Sequence, residues 1–266
     1  MDSVQAKCSS DAARHMKRRR NSNECFGVCA REGIPWYITA GDTKWFIDWL
    51  AVRGVNLFIP HAFYYSVRGE RSGERPPDVG PNNIWWEHYK EFSTYMKRVS
   101  YLVTDSQNGA KTAVLCESGA MPYKEVKPFY ENQVEFNYLQ ENLFKQCKVE
   151  NGKLTIAGYT YDYVMDPYDL ANKYKLDISN VKRCEKVEDV VERDFITSKP
   201  CPGLRVTHLV KYGINLYFIV NEAEASIDCE ASVPLLVRRS GWIYGKGTSL
   251  KRIGPKVMEA QSFTLH

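Results

Sequence analysis

Residues 39–60 read TAGDTKWFIDWLAVRGVNLFIP. Thr39 stands where a helix N-cap belongs, and Asp42 follows three residues later, the spacing at which a side chain reaches back to the cap. Trp45, Phe46, Trp49 and Leu50 then recur on one helical face. Gly54 falls just past the expected helix end, where a left-handed backbone is needed. The next run, VNLFI (55–59), is apolar and of buried-strand length, and Pro60 stops it. The stretch therefore predicts a capped helix leading into a buried strand.

The same alternation continues on both sides. Upstream, NSNECFG (21–27) reads as a short strand. SDAARHMKRRR (10–20) reads as a short helix with Asp11 in its first turn and a basic C-terminal half. Those cations suit the negative end of a helix and a solvated face. A nucleic-acid or targeting patch is the competing reading, but no aromatic or glycine residues interleave with the patch. Downstream, residues 61–84 form a long loop rich in Gly, Pro, Arg and Tyr, and loops of that length inside domains are usually functional or disordered. Trp85, Tyr89, Phe92, Met96, Val99 and Val103 then step by four and three, which predicts a second amphipathic helix. Helix, strand, helix, strand, helix implies parallel strands under covering helices. Two strands cannot make such a sheet alone.

The rest of the chain divides in two. TAVLC (112–116) predicts a strand, residues 129–144 a largely helical stretch, and KLTIA (153–157) with YDYVM (161–165) strands around Gly158. This is a second α/β unit, flavodoxin-like in arrangement. It contains neither GxGxxG nor GxxxxGK[ST], so nucleotide binding has no signal. RVTHLV (205–210) and NLYFIV (215–220) flank KYGI as a β-hairpin, and SIDCEASV (226–233) alternates as a half-buried strand does. The fold class expected is α/β: the last βα units of a TIM-type barrel (1–105), a small flavodoxin-like α/β domain (106–200), and a β-rich start of a sandwich-like domain (201–266).

Composition narrows the function. Hydrophobic residues make up 44% of the 266 and charged residues 26%, enough for a core. The net charge of +4 on 36 basic and 32 acidic residues lacks the basic excess of a dedicated nucleic-acid binder. The eight cysteines show no CxxC spacing, and Cys25 and Cys29 have no Cys/His pair behind them at metal spacing. They read as reduced thiols of a cytoplasmic protein. No apolar run reaches membrane-spanning length, and no cofactor or metal site is expected.

Three contiguous motifs, NECFG (23–27), VRGVNLFIPHAFYYS (52–66) and PPDVG with NNIWW (76–86), resemble the rear part of large barrel glycosidases of the α-L-rhamnosidase-like and family-2-like group. AVLC, YENQVEFNYL and YFIVNE fit the same group, so the resemblance runs over roughly residues 10–230. It implies that SNECF is strand seven and VNLFI strand eight of a (β/α)₈ barrel. In that clan the nucleophilic carboxylate ends strand seven and the acid/base ends strand four. Glu24 holds the strand-seven position, and His61 ends strand eight on the same rim, where βα loops shape the pocket. Glycoside hydrolysis needs two carboxylates, one to protonate the leaving oxygen and one to attack the sugar or activate water. Glu24 supplies the second role. His61 is the candidate for a sugar hydroxyl, and Tyr64, Tyr65 and Trp86 for stacking on pyranose faces. Arg68, Glu70, Arg71 and Asp78 of the same loop are candidates for further hydroxyls, with a solvated or paired side chain as the competing reading of each. Trp85 lies on the apolar helical stripe and reads as core. The strand-four acid has no counterpart in this chain. The expectation is therefore a truncated or split glycoside hydrolase that acts on an oligosaccharide or glycoside with a missing N-terminal barrel portion as partner, involving neither nucleic acid nor membrane. The alternative is a non-catalytic carbohydrate-binding or interaction module.

Overall fold

The structure, a computed structural model, describes residues 5–27, 36, 38–74 and 77–233, and the backbone of 261–265. Its first unit runs α1 (Gln5–His15), β1 (Ser22–Cys25), α2 (Ala40–Val52), β2 (Leu57–Pro60) and α3 (Tyr89–Val103). The capping box that the sequence predicts is present: the Thr39 hydroxyl accepts from the Asp42 N–H at 3.1 Å, and the Thr39 N–H donates to the Asp42 carboxylate at 3.0 Å. Gly54 has φ +96°, and a Cβ there would lie 2.2 Å from an Arg14 nitrogen. It therefore serves both the turn and a close approach. α1 starts and ends earlier than predicted. Lys17, at φ +55°, turns the chain out of the helix, so Lys17 to Arg20 lie beyond its end and are not a helical face.

β1 and β2 pair in parallel, with Glu24 opposite Ile59 and Cys25 opposite Pro60. Cys25 and Phe58 share one face of this pair, packed in a cluster with Ile47, Trp49 and Leu50 of α2 and Tyr89 and Met96 of α3. The other face is bare. Leu57 is 39% exposed and Ile59 is 50% exposed. The strand predicted to be buried is thus buried on one side only, because no described residue covers the side that Leu57 and Ile59 share. No closed barrel forms among the described residues.

The second unit begins with β3 (Gln107–Asn108) and continues with β4 (Thr112–Cys116), α4 (Tyr123–Glu131), β5 (Phe136–Gln140), β6 (Lys148–Glu150), β7 (Lys153–Ile156), β8 (Tyr159–Tyr161), β9 (Tyr163–Met165), α5 (Leu170–Lys173) and β10 (Lys182–Arg183). The order β10-β9-β4-β5 forms a parallel sheet, and β6-β7-β8 is an antiparallel meander. The predicted helix over 129–144 is corrected. The helix ends at Glu131, Gln133 turns at φ +55°, and FNYLQ becomes the β5 strand beside β4. An aromatic, fully buried run is more stable as a sheet element than as a helix here. The sheet is covered on both sides: Ala113, Leu115 and Leu139 face β7, β8 and α5, whereas Val114, Cys116 and Tyr138 face α4.

The third unit holds β11 (Ile196–Thr197), the hairpin of β12 (Leu204–Lys211) and β13 (Ile214–Asn221), β14 (Cys229–Val233) and β15 (Gln261–Leu265). Tyr212 (φ +52°) and Gly213 (φ +74°) make the two-residue hairpin turn, the handedness that matches strand twist. Sheets β13-β12-β3 and β11-β14-β15 share a cluster of Phe195, Cys201, Leu204, Cys229 and Val233.

Two buried polar joints tie the units together. Asp11 of α1 is fully buried. It binds Lys7 at 3.2 Å, the Arg14 guanidinium, and the Tyr138 N–H of β5 at 2.9 Å. Arg53, just past α2, grips Glu222 after β13 with both terminal nitrogens and lies 4.3 Å over the Trp49 ring. Among the described residues no helix is long and apolar enough to cross a membrane. Cys29 lies outside the described residues, whereas the other seven cysteines are free thiols.

Candidate functional site

The site is the C-terminal end of the β1–β2 pair. In a parallel pair under helices, both strands deliver their last residues and following loops to one rim. Glu24 is exposed and sits on the bare face with Ser22, Leu57 and Ile59, since alternate strand residues share a face. Its carboxylate has no ion pair or hydrogen bond among the described residues. His61 continues the ladder, its N–H donating to the Cys25 carbonyl at 2.8 Å. Glu24 and His61 therefore end neighbouring strands at the same rim. The His61 ring is half-buried. Its Nδ1 is enclosed with no partner among the described residues, and a Cβ on Gly27 would lie 3.7 Å from the ring.

The long loop that follows is built, not slack. Asp78, a candidate sugar contact, is only 4% exposed and accepts the Tyr64 N–H (2.9 Å) and the Asn82 N–H (3.0 Å) through its two oxygens. Asn82 returns a bond to the Tyr64 carbonyl at 3.0 Å, and Asn83 binds the Asp78 carbonyl at 2.8 Å. Ala62 and Pro77–Val79 exchange backbone bonds of 3.0 and 2.9 Å. A carboxylate that already accepts two backbone donors in a closed turn has little left for a ligand. Asp78 is thus the knot of the loop and not one of its contacts.

The knot sets two aromatic groups. Tyr64 lies edge-on to His61 at 5.8 Å and to Trp36 at 5.1 Å. Phe63 lies edge-on to Trp86 at 5.5 Å and to Tyr89 at 5.7 Å, over Gly80, where a Cβ would meet its ring at 2.7 Å. Tyr89 is partly buried, which pushes its hydroxyl above the ordinary tyrosine range. Trp85 is core, as its stripe position implies: it stacks beside Phe92 at 4.9 Å and donates to the Ile38 carbonyl at 3.2 Å. Tyr65 is 96% exposed and makes no ring contact. Arg68 is exposed and precedes a 3-10 turn (Gly69–Gly73), its own N–H bonded to Ser66. Arg71 pairs with Glu74 at 2.8 Å.

The fold brings Tyr64 onto His61 at the end of the strand beside the one that carries Glu24, puts Trp86 in a second aromatic group with Phe63 and Tyr89, and leaves Tyr65 and Arg68 exposed on the loop. Sequence reasoning missed Phe63 and Trp36, and it left Asp78 open between a sugar contact and a paired side chain, of which the structure has the second. The signal for Asp78 was present as DVGPNN, an acid followed by turn residues that it can cap. Among the described residues no group of three His, Cys, Asp or Glu side chains gathers at metal-binding distance.

No protein-family model and no curated protein matches the chain. Among solved structures it is similar to the rhamnosidase from Novosphingobium sp. PP1Y, with a TM-score of 0.68, 15% identity and 88% of this chain covered. The chain spans 28% of the length of that rhamnosidase. At this identity the likeness is one of fold, and the fold of this chain is rhamnosidase-like.

Proposed function

We propose that this chain is the part of a glycoside hydrolase that carries the last two βα units of a barrel and the domains behind them. Residues 1–105 form the barrel portion, 106–200 a small flavodoxin-like α/β domain and 201–266 the start of a sandwich-like domain. One observation carries the reading. Glu24, a carboxylate with no partner among the described residues, stands at the C-terminal end of a parallel strand pair whose outer face is packed by helices and whose inner face no described residue covers. That is the arrangement of a barrel lumen opened along its length, with a rim residue of the type glycoside cleavage needs. Glu24 attacks the anomeric carbon or activates water. His61 and Arg68 bind sugar hydroxyls, and Tyr64, Tyr65 and Trp86 offer apolar faces to the ring. The acid that protonates the leaving oxygen comes from a complementary barrel portion that also covers Leu57 and Ile59.

The test is turnover of an aryl glycoside by the chain alone and mixed with a polypeptide supplying six further βα units. Turnover should arise in the mixture only, and Glu24→Gln should lower it by roughly 100- to 10 000-fold. A mixture whose activity ignores Glu24→Gln refutes the assignment. A second reading, a carbohydrate-binding module, is favoured by the exposed Phe63 and Tyr65. It predicts saturable oligosaccharide binding by the isolated chain with no turnover in any mixture.

A further inference from the structure

At the opposite end of the β1–β2 pair, the chain leaving α1 meets the end of α3 and the β7–β8 turn around a solvent-connected cavity of about 460 Å³. Arg14, Lys17, Arg18 and Arg19 line it, with Asp105 as the one acid on its wall. Arg19 is spent on Asp105 in a two-point pair (2.9 and 2.8 Å). The other three are not. Arg14 has a side chain only 12% exposed and commits a single nitrogen, Nη1, to Asp11, while Nη2 lies over Gly54 with no acceptor among the described residues. Lys17 and Arg18 make no ion pair among the described residues. The Tyr159 hydroxyl, beside Arg14, likewise makes no hydrogen bond there.

The cavity is also held open by its backbone. Lys17, Gly54, Asp105, Ala157 and Gly158 all line it, and all have positive φ, from +55° to +96°. They lie at turns: Lys17 just past α1, Gly54 just past α2, Asp105 just past α3, and Ala157–Gly158 as the two-residue turn between β7 and β8. A preformed concavity of this size suits a small molecule. Its uncommitted charges are cations, and a planar guanidinium with an open edge matches a tetrahedral oxyanion.

We propose that this cavity is a binding site for a small phosphate or sulfate monoester, with Arg14, Lys17 and Arg18 holding the oxyanion and Tyr159 donating to it. The ligand is monomer-sized, because the free cations converge on one concavity and do not run along a surface.

Calorimetry on the full chain with glucose 6-phosphate, glucose 6-sulfate and glucose tests this. One or both esters should bind at one site per chain, which of them binds identifying the ester, and glucose should not bind. Arg14→Gln and Arg18→Gln should each weaken binding roughly tenfold, whereas Lys145→Gln, which removes the same charge from a distant exposed position, should leave it unchanged. Arg18 is exposed and unpaired, so its variant tests the site even if the Arg14 variant fails to fold. Equal binding of glucose, no binding of either ester, or loss of affinity shared by Lys145→Gln would overturn the proposal. Affinity that climbs with oligonucleotide length without one-to-one saturation would overturn it in favour of an extended nucleic-acid patch.

Discussion

The molecule contains two parallel sheets whose strands look alike on paper and are treated in opposite ways. TAVLC of β4 is buried at every residue, with helices and a meander on its two faces. LFIP of β2, just as apolar, is exposed at alternate residues. The difference does not lie in the strands. β4 has β5 and β9 on its flanks and cover above and below, whereas β2 has β1 alone and helices on one side only. Burial belongs to the neighbourhood of a strand, and an uncovered apolar face marks where cover belongs.

If the contrast holds, perturbations of the covered sheet should cost far more than perturbations of the bare one. The largest loss should come from Asp11→Ala. It strands Arg14 and the Tyr138 N–H inside the protein, takes from Lys7 one of its two carboxylates, and should cost about 3–5 kcal/mol in denaturant unfolding. Leu115→Ala, in the middle of β4, should cost about 2–5 kcal/mol by the same measurement. Ile59→Ser, on the open face, should stay within about 0.5 kcal/mol of the parent. A cost for Ile59→Ser equal to that of Leu115→Ala would break the contrast.

A smaller effect is expected at the seam between β12 and the covered sheet. His208 Nδ1 donates to the Asp194 carboxylate (3.0 Å), its Nε2 lies 2.8 Å from the Asn215 side-chain oxygen, and Lys111 lies 3.4 Å from Asp194. Burial alone would lower the His208 pKa, but the bonds to Asp194 and Asn215 outweigh it and raise the value above 6.5. Burial likewise opposes the Asp194 charge, yet the His208 bond and Lys111 bring its pKa below 3.8. The contribution of His208 is complete below pH 6.5 and is lost as pH rises through its raised folded value. That of Asp194 is present above pH 3.8 and is lost as pH falls through its lowered folded value. The pair is therefore most stabilising between these limits. His15, buried and brought down to about 4, costs stability as pH falls from 6.5 towards 4, a window below that of His208. The difference in unfolding free energy between the parent and His208→Asn, taken from pH 4 to 9, cancels His15 and should shrink above neutrality. A pH-independent difference would contradict the assignment.

Much of the first unit was legible because its signals are local. Thr39 and Asp42 make a cap by spacing alone, Gly54 ends the helix by its φ, and the stripe from Trp85 to Val103 repeats with the helical period. Phe136 to Gln140 was not legible as a strand, because aromatic runs without period fit either element and only pairing with β4 decides. The site divided in the same way. Glu24 and His61 could be named from motif position, but the bare face on which Glu24 stands depends on residues far apart in sequence. Asp78 stayed open between ligand contact and pairing because an acid in a polar loop reads the same whether it faces ligand or backbone, and only burial separates the two.

The open face is tested most directly by native-state hydrogen exchange of the isolated chain, residue by residue. Amides in 22–25 and 57–59 should exchange at least about a hundredfold faster than those of Val114, Leu115 and Leu139, since a two-stranded sheet with one bare face opens locally. Equal protection in the two sheets would mean that the β1–β2 face is covered in solution, and the barrel-lumen reading of Glu24 would fall with it.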